Sequence, residues 1–229
     1  MNPQTLLDLL PDVPRYVDAR GMLLRGTAEI FGEDLANFAL YDADAQVGVL
    51  VGVPAASELR RLEALCTEQS VLLASSETAA ELRGTLSGWR CETAILHILH
   101  DVRHLPVSEG VRLLTPAEID SLELEQELKQ EFADAALFSP LSAAYADGKP
   151  VSFCYASWQT ESFWDISIDT LPEYQRQGHA TRNLAWMIRF QHEAGRLPVW
   201  GAVEGNLPSL NLARKLGFIE ADRICVFGR

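Results

Sequence analysis

A single glycine stands at the start of a segment that otherwise has the pattern of an amphipathic helix. The segment PEYQRQGHATRNLAWMIRFQHEAG runs from Pro172 to Gly195, and the glycine is Gly178. Glycine costs a helix about 1 kcal/mol relative to alanine, so its place in the first turn indicates that something approaches the backbone closely. A helix N-terminus, with unpaired N–H groups at the positive end of the dipole, binds anions such as phosphate. An ordinary loop-to-helix junction has the same pattern, and this segment alone does not distinguish the two.

Composition and charge narrow the classes of partner. The chain has 229 residues, 48% of them hydrophobic, which suffices for one large or two small globular domains. With 32 acidic and 19 basic residues, its net charge of −13 opposes binding to nucleic acid or anionic membrane and favours a cationic substrate. No apolar run reaches the roughly 18 residues of a membrane span, and the N-terminus lacks a signal-peptide pattern. We expect a soluble, cytoplasmic protein.

The cysteines indicate neither a zinc site nor a disulfide framework, because none of them has CxxC spacing. They are Cys66, Cys91, Cys154 and Cys225. We expect buried thiols and no bound metal.

Residues 111–229 have clear local patterns. A short strand at 111–114 precedes Thr115 and Glu118, whose spacing is that of a capping box at the start of one helix. Apolar segments on either side of Asp147 and Gly148 predict a β-hairpin. The stretch SFWDISIDT alternates as a strand does, with Asp165 and Asp169 on one face.

The elements that follow complete a mixed fold. They are the helix of the Gly178 segment, a strand at PVWGAVE, a short helix ending at Gly217 and a terminal strand or hairpin. The order β-α-β-β-β-α-β-α-β has an antiparallel start and a βαβ crossover, so the predicted class is α+β rather than doubly wound.

The first hundred residues are less regular. Strand-like runs at 22–31, 36–41 and 47–53 precede helices near 55–66 and 77–86 and a strand at 94–99. The stretch at 100–110 connects the two parts of the chain. We therefore expect a smaller α/β domain at 1–104 and a second domain at 105–229.

The two halves contain a short pair of similar segments. Residues 88–95 and 217–224 have the same spacing of a helix end, a glycine, an aromatic residue and a strand. Such turns are common, so the similarity of these two segments alone does not establish a duplication. If it is one, the first copy has no counterpart of the Gly178 segment and its site would be inactive.

Taken together, residues 111–229 resemble the GNAT superfamily of acyl-CoA-dependent N-acetyltransferases. The stretch QRQGHA fits the family loop Q/R-x-x-G-x-G/A, between a strand and a long helix. The stretch NLPSLNLARKLGF, at 206–218, is similar to the family segment N-x-x-S/A-x-x-L-x-x-K-x-G-F. Two motifs in the expected order and context are far more specific than either one alone. The resemblance implies a mostly antiparallel GNAT-like sheet.

The resemblance implies a site for acetyl-CoA. The backbone N–H groups around the loop would bind the pyrophosphate of coenzyme A. The preceding strand would pair with the pantetheine arm through Ile168 and Thr170. The amide of Asn206 would contact the arm, and Ser209 would cap or contact near the start of the short helix. Residues 206–209 also fit an ordinary N-terminal helix cap, and the two roles are compatible. The loop residues are Gln175, Arg176, Gln177, Gly178, His179, Ala180 and Thr181.

Direct acetyl transfer also needs a base for the amine and a proton for the departing thiolate. Many family members carry a tyrosine on the last helix as the acid, and this chain has Ala213 there. The thiol of coenzyme A can leave as thiolate or take its proton from water. The candidate bases are Asp165, Asp169 and Glu204, each of which also fits a solvated strand residue. We favour Glu204, because the open end of the splayed strand pair faces the acceptor cleft in the family.

The function that the resemblance implies is N-acetyl transfer from acetyl-CoA to a primary amine, by direct transfer in a ternary complex. The amine belongs to a small molecule or a peptide. The alternative, motivated by Ala213, is a regulatory module that binds an acyl-CoA without transfer. A homodimer whose acceptor site forms across the interface is a further option. Residues 1–104 would be either a degenerate GNAT-like half or a lid on the acceptor side.

Overall fold

The computed structural model of the protein describes residues 1–107 and 109–229. These residues form two compact units, one of Met1–Ile98 with Val199–Arg229 and the other of Leu99–Pro198. The C-terminal segment belongs to the first unit because its last strand pairs with two strands of the first hundred residues. The sequence-based division between residues 104 and 105 follows the motifs along the chain and stays a prediction. Ser108, in the connecting stretch at 100–110, lies outside the described residues.

The first hundred residues contain four helices and five strands. The helices are α1 (Pro3–Leu9), α2 (Val17–Arg25), α3 (Ala56–Glu63) and α4 (Ser76–Leu82). The strands are β1 (Glu29–Asp34), β2 (Asn37–Asp42), β3 (Val47–Val51), β4 (Val71–Ser75) and β5 (Arg90–Ile98).

The remaining described residues contain six strands and four helices. They are β6 (Val111–Leu113), α5 (Pro116–Asp120), α6 (Gln126–Ala136), β7 (Ser142–Ala146), β8 (Lys149–Gln159), β9 (Phe163–Thr170), α7 (His179–Glu193), β10 (Leu197–Val203), α8 (Leu207–Lys215) and β11 (Ile219–Gly228). No helix among the described residues is long and apolar enough to cross a membrane.

The predicted α+β class is confirmed. In the first unit the strands lie in the order β1-β2-β3-β4-β11-β5-β10, and all neighbours are antiparallel except β3 and β4. The parallel pair requires a crossover, and α3 provides it as a βαβ unit. In the second unit β9-β8-β7-β6 is antiparallel throughout.

The strands of the two similar segments, 88–95 and 217–224, pair with each other in the sheet. By spacing, Ala94 corresponds to Arg223 and Ile95 corresponds to Ile224. In the structure Ala94 pairs with Ile224 and Ile95 pairs with Arg223. Two equivalent antiparallel strands related by a local two-fold axis have this exchanged pairing. The order β3-α3-β4-α4-β5 also repeats as β9-α7-β10-α8-β11.

In the second unit, helices cover both faces of the sheet. The side chain of Asn183 on α7 donates to the carbonyl of Ser152 at 2.7 Å and accepts from the Ser142 hydroxyl at 2.7 Å. On the opposite face, the rings of Phe132 on α6 and Phe153 on β8 lie 4.6 Å apart. Residues of β8 therefore alternate between an α7 face and an α6 face, as the strand period requires.

Several local predictions are confirmed and two are wrong. The capping box at Thr115 is present, and Asp147 and Gly148 both have positive φ, as a tight hairpin turn requires. The single helix predicted after Thr115 is divided into α5 and α6, because Leu122 and Leu124 pack against the core between them. The run at 22–31 is not one strand: its first residues end α2, which Gly26 terminates at φ +74°. A short apolar run does not distinguish a buried helix from a strand.

Candidate functional site

The backbone before α7 forms an open, uncapped helix N-terminus. Gly178 is the N-cap residue at φ +86°, and Arg176 also has a positive φ, +59°. The helix has 15 residues, and no side chain of the described residues caps its N-terminus. A Cβ added at Gly178 would meet no atom within 4 Å. Left-handed residues beside a helix start turn N–H groups toward one concave surface, which suits an anion.

The side chains around this N-terminus are mainly cationic or neutral. The first turn of α7 contains no acidic residue. Arg182 donates to the carbonyl of Tyr145 at 2.8 Å and to Nδ1 of His179 at 3.1 Å. Among the described residues, its buried Nε has no hydrogen-bond partner. Although the whole chain is acidic, this end of α7 has a local electrostatic environment that favours an anion.

Two glutamines hold the loop in place. The side-chain amide of Gln175 donates to the carbonyl of Thr170 at 3.3 Å, and that of Gln177 donates to the carbonyl of Glu173 at 2.9 Å. The predicted loop residues therefore lie together, next to the end of β9. Their order along the loop is Gln175, Arg176, Gln177, Gly178, His179, Ala180 and Thr181.

The strand β9 presents different chemistry on its two faces. Ile168 pairs with Cys154, and Thr170 pairs with Ser152, whose hydroxyl accepts from Thr170 at 2.9 Å. This is the face that α7 covers, because Asn183 bonds the same serine. Asn183 was not predicted as a functional residue from the sequence. Asn183 is a polar residue on the apolar face of the predicted helix, and this feature could have identified it. Buried polar groups are almost always hydrogen-bonded.

The opposite face of β9 carries the candidate bases Asp165 and Asp169. Burial, and then the charge of Glu131, raise the pKa of Asp169 above its usual value, and the Tyr155 side chain opposes the rise. The Tyr155 hydroxyl donates to Glu131, and burial followed by this bond raises the pKa of the tyrosine. Asp165 lies where the register between β8 and β9 shifts. Such bulges are over-represented next to active sites.

The remaining predicted residues lie in the first unit. Asn206 caps α8 by accepting from the N–H of Ser209 at 3.2 Å. The predicted contacts of these two residues with the pantetheine arm stay predictions. The Ser209 hydroxyl also accepts from the indole of Trp200 at 2.8 Å. The exposed carboxylate of Glu204 forms an ion pair with Arg223 at 2.5 Å. Arg223 binds Glu220 as well, at 2.6 Å.

Ala213, at the position where the resemblance leads one to expect a tyrosine, is fully buried on α8. Three of the four cysteines are buried and Cys91 is partly exposed; burial raises the pKa of Cys66 and Cys154. Within the described part of the chain, no group of three His, Cys, Asp or Glu residues is placed to hold a metal ion.

A small cavity of about 110 Å³ lies in the first unit, beside β3 and β4. Its lining includes Arg15, Gly52, Ser75 and Thr78. None of the predicted cofactor residues lines it. Sites for drug-sized ligands usually enclose about 300–1,000 Å³, so this cavity is too small for a nucleotide cofactor.

Comparison with known proteins gives this chain a family. A protein-family model described as GNAT acetyltransferase matches residues 108–227, which is more than half of the chain. The chain therefore belongs to the GNAT acetyltransferase family, and acyl-CoA-dependent acetyl transfer is the general activity that this family supports. Sequence comparison with curated proteins gives no match.

Solved structures share the fold over nearly the whole chain. A GCN5-related N-acetyltransferase-like protein from Streptococcus suis is 20% identical, with a TM-score of 0.70 over 99% of this chain and 98% of that chain. A GNAT-family acetyltransferase from Colwellia psychrerythraea is 14% identical, with a TM-score of 0.60 over 98% and 93%. A tandem GNAT protein from the clavulanic acid biosynthesis pathway is 17% identical, with a TM-score of 0.59 over 100% and 94%. At these identities the likeness shows the fold alone.

Proposed function

We propose that this protein transfers an acetyl group from acetyl-CoA to a primary amine by direct transfer in a ternary complex. The observation that carries the proposal is the N-terminus of α7, which is open above Gly178 and capped by no side chain. A 15-residue helix with such a start is suited to a pyrophosphate. Family membership supports the acetyl donor.

The described residues fit the proposed donor. The N–H groups from Gln177 to Thr181 would bind the pyrophosphate, and the β9 backbone at Ile168 and Thr170 would bind the pantetheine arm. When bound, acetyl-CoA supplies the thioester carbon that the amine attacks.

We assign the base to Asp169 rather than to Asp165 or Glu204. An aliphatic ammonium must lose a proton before it can attack a thioester, because its usual pKa is near 10.4. Asp169 is half-buried and has a raised pKa, which makes it a better proton acceptor than an ordinary aspartate. Glu204 is exposed, and its carboxylate is already bound by Arg223.

We also propose that residues 1–104 are a degenerate GNAT-like half. The repeated order of elements and the exchanged pairing of β5 with β11 support a duplication. The connection from β3 to α3 covers only residues 52–55 and has no counterpart of QRQGHA. We therefore expect one acetyl-CoA per chain; a stoichiometry of two would show that the first half has kept a site.

A second function, acyl-CoA binding without transfer, is favoured by one observation. Ala213 offers no hydroxyl at the position of the usual family acid. The test is to incubate the protein with acetyl-CoA and a panel of primary amines, and to follow thiol release and the mass of the amine. Acetylated amine with stoichiometric thiol is the result we expect. Tight acetyl-CoA binding with no acetylation of any amine would support the binding module instead.

A further inference from the structure

The imidazole of His179, the first residue of α7, is in contact with side chains that come before and after it in the chain. Its Nδ1 lies 3.1 Å from Nη2 of Arg182, three residues later on the same helix. Residues at this spacing are neighbours on a helix surface. The imidazole also packs against the ring of Tyr174 in a T-shaped arrangement, with the two centroids 6.0 Å apart. Together the two contacts restrict the orientation of the imidazole.

The hydrogen bond with Arg182 determines which ring nitrogen of His179 carries the proton. A guanidinium can only donate, so Nδ1 of His179 accepts and carries no hydrogen. A neutral imidazole without a hydrogen on Nδ1 has its hydrogen on Nε2. The hydrogen bond at one ring nitrogen thereby sets the role of the other. His179 therefore has a single N–H donor, Nε2–H, in the first turn of α7.

Arg182 is itself held by the sheet. Its Nη2 also donates to the backbone carbonyl of Tyr145 on β7, at 2.8 Å. An Nη nitrogen has two hydrogens, and the contacts with Tyr145 and His179 use both of them. The buried Nε of Arg182 has no hydrogen-bond partner among the described residues. The sheet thus fixes the group that orients the imidazole.

We propose that Arg182 holds His179 as the Nε2–H tautomer, and that this Nε2–H donates to the pyrophosphate of acetyl-CoA bound at the N-terminus of α7. The inference rests on the proposed function, in which this N-terminus binds the pyrophosphate. His179 contacts the cosubstrate and is a binding residue, whereas Arg182 acts through His179 and is a positioning residue. A donor that is oriented before binding loses less side-chain entropy when the phosphate arrives.

The tautomer of His179 is measured without any ligand. A nitrogen-15 spectrum of the histidine-labelled protein at about pH 8, where a free imidazole is neutral, distinguishes protonated from unprotonated ring nitrogens. His179 is assigned by the loss of its signals in His179→Asn. We expect the Nε2–H form in the wild type, and a shift of the Nδ1 signal in Arg182→Met. An Nδ1–H form in the wild type, or an unmoved Nδ1 signal in R182M, would overturn the proposal.

Isothermal titration with acetyl-CoA tests the donor role of His179. The side-chain oxygen of Asn in H179N can still accept from Arg182, but this variant has no donor in place of Nε2–H. We expect its affinity to fall about tenfold, which corresponds to one hydrogen bond to a charged group. Arg182→Met should also weaken binding, and Arg182→Lys, which keeps a charged donor, should recover most of the loss.

The double variant H179N/R182M separates a positioning role of Arg182 from a general effect of its charge. If Arg182 acts through His179, both single variants remove the same hydrogen bond, and the double variant should bind no more weakly than the weaker single variant. An independent effect of the charge would instead add to the loss in H179N. Additive losses would therefore overturn the positioning role.

Two matched controls lie on the same helix. Arg189→Met removes an arginine that also donates to a backbone carbonyl, that of Leu105, and whose buried Nε also lacks a partner among the described residues. His192→Asn removes an exposed histidine from the last turn of α7. Both variants should bind acetyl-CoA as the wild type does.

The same titrations with the dephospho form of acetyl-CoA identify the phosphate that is bound. This form keeps the pyrophosphate and lacks the phosphate on the ribose, so equal losses with both compounds support the proposal. Losses seen with acetyl-CoA alone would overturn it. Wild-type affinity in H179N overturns this inference and leaves the proposed function standing, whereas a wild type that binds no acetyl-CoA overturns both.

Discussion

Arg15 and Asp222 form a two-bonded ion pair that joins the N-terminal segment to the last strand. Nε of Arg15 donates to Oδ2 of Asp222 at 2.6 Å, and Nη2 donates to Oδ1 at 2.7 Å. The two residues are 207 positions apart in the chain. Two parallel hydrogen bonds from one guanidinium to one carboxylate make a strong contact. Here the contact attaches β11 to the N-terminal segment of the first unit.

The ion pair should contribute to stability. We expect Arg15→Ala to lower the free energy of unfolding by about 1 kcal/mol, because both side chains are partly exposed and water screens the attraction. Urea denaturation at pH 7 measures this change in the free energy of unfolding. Arg61→Ala removes a more exposed ion pair with Glu58 and should change stability by less; equal losses in the two variants would contradict this ranking.

The contribution of the pair should depend on pH. Burial raises the pKa of Asp222, but hydrogen bonds from Arg15 and from the Arg223 N–H outweigh it and leave the pKa below its usual value. A carboxyl with a lowered pKa in the folded state stabilises the fold above its unfolded pKa, about 4, and this stabilisation is lost as the pH falls through the folded pKa. The difference between wild type and Arg15→Ala should therefore shrink below about pH 4. A difference that grew in acid would refute this assignment.

The buried amide of Asn183 should be essential for the second unit. Its bonds to Ser142 and Ser152 join α7 to β7 and β8. We expect Asn183→Ala to destabilise the protein by about 2 kcal/mol, because it removes three buried hydrogen bonds, with the Ser142 hydroxyl, the Ser142 carbonyl and the Ser152 carbonyl. Chemical denaturation measures the loss. Asn211→Ala, at an exposed position of α8, should change stability by less than about 0.5 kcal/mol; a similar loss there would contradict the argument from burial.

Asp169→Asn should abolish most of the transfer while keeping the donor bound. We expect kcat to fall by about 100-fold, since an amide cannot take the amine proton. The wild-type kcat/KM should fall toward acid with a midpoint above the usual aspartate value, because burial and Glu131 raise the pKa of Asp169. Stopped-time acetylation assays across pH measure both effects. Asp134→Asn, on α6, is the control; wild-type activity in D169N would exclude Asp169 as the base.

Several local features of the fold, including the glycine start of α7, were predictable from the sequence. A glycine before a helix, a capping box and a hairpin turn each depend on a few neighbouring residues, and the structure has all three. The division of one predicted helix into α5 and α6 was not predictable, because the core that takes Leu122 and Leu124 comes from distant strands.

The contact between two polar side chains of the second unit was also not predictable from the sequence. Glu131 and Tyr155 lie 24 positions apart, and neither belongs to a motif. Their contact depends on which face of β8 meets α6, and period-2 alternation alone does not reveal the helix that will cover a face. The ion pair of Glu204 with Arg223 likewise depends on the fold of β11, so the sequence favoured Glu204 as base without showing its partner.

Two glycines at the two ends of α7 provide a test of the proposed pyrophosphate site at the N-terminus of this helix. Gly178 and Gly195 have nearly the same φ, +86° and +82°, and a Cβ at either meets no atom within 4 Å. Isothermal titration with acetyl-CoA should be done on the wild type, Gly178→Val and Gly195→Val. Because the φ angles match, we expect one acetyl-CoA site per chain in the wild type and in Gly195→Val, and a loss of at least tenfold in affinity in Gly178→Val alone. Equal affinity in the two variants, or no binding by the wild type, would contradict it.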